Sequence, residues 1–389
     1  MLFFLVFRKT QIVELNINNV LQQCRTLNNL RMKIAVIGAG NGGQAIAGYL
    51  AYVGNETSLY DIDVQKINEL KQLGGVQLSG CIDGFGRIDC ITSDIEEAVN
   101  GAEIIMVTTV ANAHRAVAKS MAPYMREGMV IVLNPGRTCG ALVFKEMLRD
   151  CGVTCRYYLG EAQTLVYACR VIENGRVNVI GIKNEVFLSG LPGSDTEHIL
   201  GKINPVYPCF KAVPNVLHTS LENIGAIFHP CVCLFNAATI ERQNEFYFYR
   251  DMTEQVATFI EKFDAERLAV GKAYGIDLLG VREWIKFAYN NTAGETLCER
   301  MKNNPAYYDI KGPGSIFTRQ LTEDIPTGVL PIMELGKAAG VETPLFQSMI
   351  AVIETLLNID FHTDGRSLKN LGLEGKSKEE IIDFIAYGE

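Results

Sequence analysis

Seven residues account for most of the chemistry legible in this chain: Gly38, Gly40 and Gly43, then Asp61, and far downstream His229, Arg319 and Asp324. The glycines stand in the segment 34–43, IAVIGAGNGG, and read G-x-G-x-x-G at a strand-to-helix turn. The first permits a tight turn, the second lets backbone approach a pyrophosphate, and the third lets the following helix pack closely on the strand. Asn41 and Gly42 complete the turn, and the helix N-terminal amides then face the diphosphate. Asp61 lies 18 residues after Gly43, where a carboxylate accepts hydrogen bonds from the adenosine ribose hydroxyls. That carboxylate repels a 2′-phosphate, so NAD is the expected cofactor, with NADP left open; Lys66 is the first cation downstream. The simpler alternative for Asp61 is a cap on the next helix.

Two further loops are expected at carboxyl ends of strands, where doubly wound sheets bind ligands. Thr109, Val110 and Ala111 follow one strand-like run, with His114 just beyond, and Asn134, Pro135 and Gly136 follow the next. Either loop alone also reads as an ordinary turn. The second cluster begins at His229, inside the apolar segment 224–230, IGAIFHP. A histidine there is either a satisfied core residue or a proton donor, and Pro230 can break the helix beside the ring. In the segment 318–326 an arginine precedes an aspartate by five residues. Arg319 has the fork to grip a carboxylate, and Asp324 can hold the tautomer of a histidine acting as proton donor. An unremarkable surface ion pair is the alternative. Cys231 and Cys233 follow His229, but on a helix only His229 and Cys233 share a face, so buried thiols are expected rather than a metal site.

Positioning these residues requires a sheet and a helical unit. Strand-like runs at 33–37, 57–60, 104–108 and 129–133 alternate with helical periodicity at 44–52, 64–73, 95–100, 113–121 and 141–151. Such alternation implies crossovers and a parallel sheet covered on both faces. The runs 164–171 and 176–182, joined by Asn174-Gly175, predict a hairpin that continues the sheet antiparallel. Beyond Pro205, Pro208 and Pro214 the pattern turns helical, at 221–242, 253–274, 281–289, 329–339, 345–357 and 378–386. The expected fold class is therefore α/β, a doubly wound sheet domain over 32–209 followed by an all-α domain over 210–389. An irregular stretch, 305–326, with three prolines, is where a site or lid would be built. Residues 1–31 open with seven apolar residues followed by Arg8 and Lys9, too short for a signal peptide or a membrane span, and read as an extension outside the fold.

The chain has 389 residues, 48% hydrophobic and 21% charged, which excludes disorder, collagen and coiled coil. Its 36 cations against 44 anions give −8, a field that repels polyphosphate, so nucleic acid is not an expected partner. Eleven cysteines, an odd number without a repeating frame, fit a reducing cytoplasm. The helical pattern suits a homodimer and a monomer equally.

Taken together these residues resemble the opine dehydrogenase family, the octopine and nopaline dehydrogenases, from Met32 to about Leu373. The specific matches are 217–223 (LHTSLEN), His229-Pro230 with 234–238 (LFNAA), Glu323-Asp324 in TRxxxED, 304–307 (NPAY), 264–267 (DAER) and 365–368 (GRSL). The resemblance implies a Rossmann-type domain and an all-helical domain with the active site between them. It further implies NAD(P)H-dependent condensation of an L-amino acid with a 2-oxo acid, usually pyruvate, through an imine. In that family the counterparts of His229 and Asp324 form the acid/base dyad, and that of Arg319 binds the oxo-acid carboxylate. Glu161 and Gln163, opening a segment at the sheet edge, are expected to face substrate. Val110 departs from the family, which commonly has proline there. Two competing readings remain: another two-domain dehydrogenase acting on a small 2-oxo or 2-hydroxy acid or on glycerol 3-phosphate, and a non-catalytic NAD sensor.

Overall fold

The computed structural model describes residues 31–289, 293–305 and 307–388. Residues 1–30 of the expected extension, and Ala306 of the 304–307 motif, lie outside the described residues. The first unit is built from twelve strands. They are β1 (Lys33–Ile37), β2 (Glu56–Tyr60), β3 (Gly75–Gly80), β4 (Gly84–Arg87), β5 (Cys90–Thr92) and β6 (Ile104–Val107), then β7 (Val130–Leu133), β8 (Tyr158–Ala162), β9 (Tyr167–Glu173), β10 (Arg176–Ile182), β11 (Val186–Gly190) and β12 (Phe210–Ala212).

Eight strands make one sheet in the order β12-β11-β8-β7-β6-β1-β2-β5, and the six from β8 to β5 run parallel. Strand side chains alternate between faces. Ile34, Val36, Ile104, Met106 and Val130 therefore enter one core, and Ala35, Ile37, Ile105, Val107 and Ile131 enter another. The chain leaves β1 to one side for β2 and returns on the other side with β6. That reversal opens a crevice at the carboxyl ends of β1 and β6, the place where doubly wound sheets take ligands.

The Asn174-Gly175 signal does mark a hairpin, β9–β10, with Gly175 at φ +81°. It does not extend the main sheet, however. It joins β3 and β4 in a second sheet, ordered β4-β3-β10-β9, against the helix Asn41–Tyr52. The antiparallel extension of the main sheet is β11 paired with β8, with β12 beyond it. Strands β3 and β4 escape the sequence pattern because glycines at 75, 80, 84 and 86 leave few side chains to alternate, and β5 because it is only three residues long.

After Ala212 the described residues are helical apart from an isolated bridge, Tyr247–Lys311. The expected helix 221–242 is two pieces, Gly225–Phe235 and Ala237–Glu241, preceded by a separate short helix, Val216–Ser220. Pro230 does not break the first piece; the interruption falls at Asn236, whose side chain bonds back to the Val232 carbonyl at 2.9 Å. The stretch 305–326 is irregular until the short helix Arg319–Thr322, after which a π turn spans Ile325–Val329. The core of this half is continuous with one face of the sheet, Leu221, Ile227 and Leu373 sharing a cluster with Leu133 and Phe144.

One matched motif proves structural. Arg267 is fully buried and spends its guanidinium on Asp264 (2.6 Å), the Leu221 carbonyl (2.9 Å) and the Leu279 carbonyl (2.7 Å). Glu266 accepts the amides of Leu345 and Phe346, satisfying the start of the helix Pro344–Leu357. Removing one partner from a buried ion pair leaves an uncompensated charge. Arg267→Met is therefore expected to lower unfolding free energy by about 3–5 kcal/mol in urea titration; an unchanged midpoint would contradict this role.

Candidate active site

The three motif glycines meet three different constraints. Gly38 lies at φ +105°, a conformation that L side chains rarely adopt. A Cβ on Gly43 would sit 1.6 Å from the Gly38 carbonyl oxygen, so only glycine lets the helix approach β1 this closely. A Cβ on Gly40 would meet nothing within 4 Å; the space above it opens at the start of a helix that has no side-chain cap. That is the cradle a diphosphate requires. Asn41 uses its side chain elsewhere, accepting the Val171 amide at 2.8 Å and tying the second sheet to this turn. A Cβ on Gly42 would meet the Leu165 side chain at 2.9 Å.

Asp61 ends β2 beside the turn. Its carboxylate accepts the Ala39 amide at 2.7 Å and the Asp63 amide at 3.0 Å, while Asp63 is the residue that caps the next helix. Lys66 folds back to within 3.3 Å of Asp61 and 3.8 Å of Asp63. Asp63, Lys66 and the hairpin tip at Asn174 line a cavity of about 480 Å³ that reaches Gly40 and Asn41.

At the ends of β6 and β7 several polar groups lack protein partners. Asn134 is fully buried with neither carboxamide atom hydrogen-bonded, and the Thr109 hydroxyl is likewise unpartnered. Such groups are rare in folded proteins and fit a ligand rich in hydrogen-bonding atoms, as nicotinamide dinucleotides are. Val110 is half exposed with φ −61° and ψ 152°, values proline would adopt unstrained, so replacing the family's proline leaves the loop's backbone geometry intact. Pro135 and Gly136 follow Asn134, and Gly136 packs so closely on Glu161 that a Cβ there would lie 2.2 Å from its Cγ.

Both loops are fixed by residues of the helical half. Arg366 is buried, and its guanidinium donates to the carbonyls of Ala111 (3.1 Å), Gly136 (3.1 Å) and Thr138 and to His114 Nδ1 (3.1 Å). Burial and the charges of Arg366 and Arg137 hold the His114 ring well below its ordinary pKa, so it is a neutral acceptor and not a proton donor. Glu323 accepts the Ala111 amide at 3.1 Å with one oxygen and the Arg319 fork with the other.

Glu161 does not face substrate. The sheet does not end at β8 but continues through β11 and β12, which places Glu161 in the interior at zero exposure. Its carboxylate accepts the hydroxyls of Thr219 and Ser220, each at 2.7 Å, and the Ala141 amide at 2.9 Å. Burial pushes its pKa up against those hydrogen bonds. The 217–223 motif is thus the other side of a latch, completed by Asn223, which donates to Thr138 at 3.2 Å. Gln163 lies just past β8, half buried, with its amide bonded to the Phe187 carbonyl.

His229 and Asp324, 95 residues apart, meet at 2.6 Å between Nδ1 and Oδ2. Asp324 is buried, which alone would raise its pKa, but the charge and hydrogen bond of His229, then Arg137 and Arg319, hold it below the usual carboxylate range. An ionised Asp324 accepts from Nδ1–H, which leaves Nε2 to exchange a proton with a ligand. Nε2 is 3.1 Å from the Tyr249 hydroxyl, and Phe248 closes the ring's side edge-on at 5.8 Å. Arg319 stands at the rim with an exposed side chain, bonded to Glu323 through Nε (2.9 Å) and Nη2 (2.8 Å). Cys231 and Cys233 are buried thiols.

The sequence reading passed over Tyr249, Glu323, Arg366 and Arg137. Glu323 and Arg366 stood inside quoted motifs, and Arg137 follows Gly136 directly, so position alone could have flagged them. Tyr249 carried no signal beyond an aromatic stretch. For the latch, Glu161→Gln turns an acceptor into a donor facing donors and is expected to cost about 1–3 kcal/mol in urea denaturation; an unaltered midpoint would refute it.

Comparison with known proteins gives this site its family. Residues 212–357 match the alpha-helical domain of NAD/NADP octopine/nopaline dehydrogenase, and residues 33–135 match the N-terminal region of NAD-dependent glycerol-3-phosphate dehydrogenase. An opine dehydrogenase of Arthrobacter sp. (strain 1C) is 40% identical over 353 residues, 90% of this chain and 98% of the relative. A solved octopine dehydrogenase with NADH and L-arginine superposes with a TM-score of 0.77 at 22% identity, covering 92% of this chain and 98% of that one. A yersinopine dehydrogenase with NADP+ bound superposes at 0.68 and 14% identity, covering 92% and 98%. The breadth of the 40% match, over nearly the whole of that relative, shows that this chain belongs to the opine dehydrogenase family, NAD(P)-dependent oxidoreductases that act on CH–NH donors.

Proposed function

We propose that His229, Asp324 and Arg319 carry the reductive condensation of an L-amino acid with a 2-oxo acid, pyruvate being the expected one. The amino nitrogen bonds to the keto carbon, water leaves, and the resulting imine takes a hydride and a proton to give a secondary amine bearing two carboxylates. The bound dinucleotide supplies the hydride. The observation that carries the reading is the partly buried His229–Asp324 contact beside a cationic rim on a dinucleotide-binding sheet.

Each residue has a distinct task. Gly38, Gly40 and Gly43 with Asp61 would hold the diphosphate and ribose ends of the cofactor, and the 109–111 and 134–136 loops its nicotinamide end. His229, protonated at Nε2, polarises the keto oxygen and gives it a proton as water departs, while Asp324 stabilises the imidazolium. Tyr249 holds the Nε2 side of the ring until substrate enters. Arg319 keeps a guanidinium nitrogen beyond its Glu323 contacts and grips the oxo-acid carboxylate, a positioning role. Asp61 favours NAD, while Lys66 beside it offers a cation that a 2′-phosphate could recruit, so NADP is accommodated less well. The expected division into 32–209 and 210–389 cuts just ahead of β12 (Phe210–Ala212), which pairs with β11, so we place the end of the sheet unit at Ala212. A reducing, cytoplasmic location suits the ten free cysteines among the described residues, and no described helix is long and apolar enough to cross a membrane.

Three variants test these roles. His229→Ala is expected to lower kcat by ~10²–10⁴ with NADH binding retained; near-normal turnover would remove His229 from the mechanism. Asp324→Asn deletes the anion that favours the imidazolium, so the alkaline limb of kcat against pH, where the proton donor is lost, should move to lower pH along with a loss of rate. An unmoved profile would sink the dyad. Arg319→Ala should raise the 2-oxo acid KM and leave the NADH KM alone; an unchanged 2-oxo acid KM and kcat would refute its role.

A further inference from the structure

A product with two carboxylates needs two cationic anchors, and Arg319 is one. The cleft holds a second cationic group that the roles above leave unused. Arg137 sits in the loop after β7 at φ +59°, a conformation costly for a residue with a side chain and kept only where the surroundings impose it. Its guanidinium reaches into the helical half, 3.5 Å from the Asn223 side-chain oxygen. Gly225 marks how near this is to the dyad: a Cβ there would lie 3.2 Å from His229 Cε1 and 3.4 Å from Arg137 Nη1. The two groups therefore flank one small space that only glycine leaves open.

Among the described residues Arg137 meets no carboxylate within ion-pair distance, whereas Arg319 has Glu323 as its partner. A guanidinium held beside the dyad without a counter-ion, in a chain of net charge −8, is the arrangement an anionic ligand completes.

We propose that Arg137 is the second carboxylate anchor, binding the α-carboxylate of the amino-acid substrate beside His229. This assignment rests on the condensation reading above. With one carboxylate on Arg319 and the other on Arg137, the bond-forming nitrogen and carbon lie between them.

The test compares an L-amino acid with the amine that lacks its carboxylate, using full-length enzyme, NADH and pyruvate. Arg137→Gln should raise the amino-acid KM at least tenfold, leave the KM values for NADH and pyruvate alone, and lower kcat/KM at least tenfold more for the amino acid than for the decarboxylated amine. Arg137→Lys should recover part of the loss. An unchanged amino-acid KM, equal losses with the amino acid and the amine, or a loss confined to pyruvate would overturn the assignment alone. A wild-type enzyme that oxidises no NADH with any pair of substrates would overturn the condensation reading and this anchor with it.

Discussion

One buried guanidinium governs how the two halves of this enzyme meet. Arg366 leaves water entirely, and a charge taken out of water is tolerated only where polar atoms surround it. Burial lowers its pKa only to about 10, so it remains charged at neutral pH. The partners are carbonyls of the 109–111 and 134–138 loops. Those loops stand at the carboxyl ends of β6 and β7, beside the cofactor crevice. Glu161 from the sheet, held by Thr219 and Ser220 of the helical half, completes a two-way latch. With both contacts in place, the segment carrying Glu323 and Asp324 has one position relative to the cofactor loops, because Glu323 also bonds the Ala111 amide.

That fixed geometry explains how an acidic protein attracts acidic substrates. The chain's net charge of −8 works against two carboxylates in the cleft. Arg319 and Arg137 reverse the field locally, and low-dielectric walls make each cation count for more than it would in water. Asp324 responds to the same cations: despite burial it stays ionised and so can orient His229. One set of charges thereby serves binding and proton transfer.

Much of this was legible in the sequence because local pattern and local physics agreed. The glycine turn, Asp61, and the runs at 33–37, 64–73 and 176–182 are short-range features, and each forms where its pattern indicates. Residues whose roles depend on distant contacts were harder. Glu161 was expected at an edge because nothing in the sequence shows that β11 and β12 continue the sheet beyond β8. The DAER motif looks as chemical as TRxxxED, yet Arg267 is structural, since only burial distinguishes a packed ion pair from an exposed one. Pro230 suggested a broken helix, and packing carried the helix through it. The His229–Asp324 pairing joins positions 95 apart; residue types offered it beside an ordinary surface ion pair, and the family resemblance chose between the two.

The central claim is that hydride reaches an imine carbon and not a free keto carbon. NADH carrying deuterium at both C4 positions, incubated with the enzyme, pyruvate and an L-amino acid and followed by mass spectrometry, tests it directly. The account predicts one deuterium in a secondary amine that contains both carbon skeletons, with NADH oxidation requiring both substrates. Deuterium found only in the 2-hydroxy acid, formed equally well without the amino acid, would contradict it.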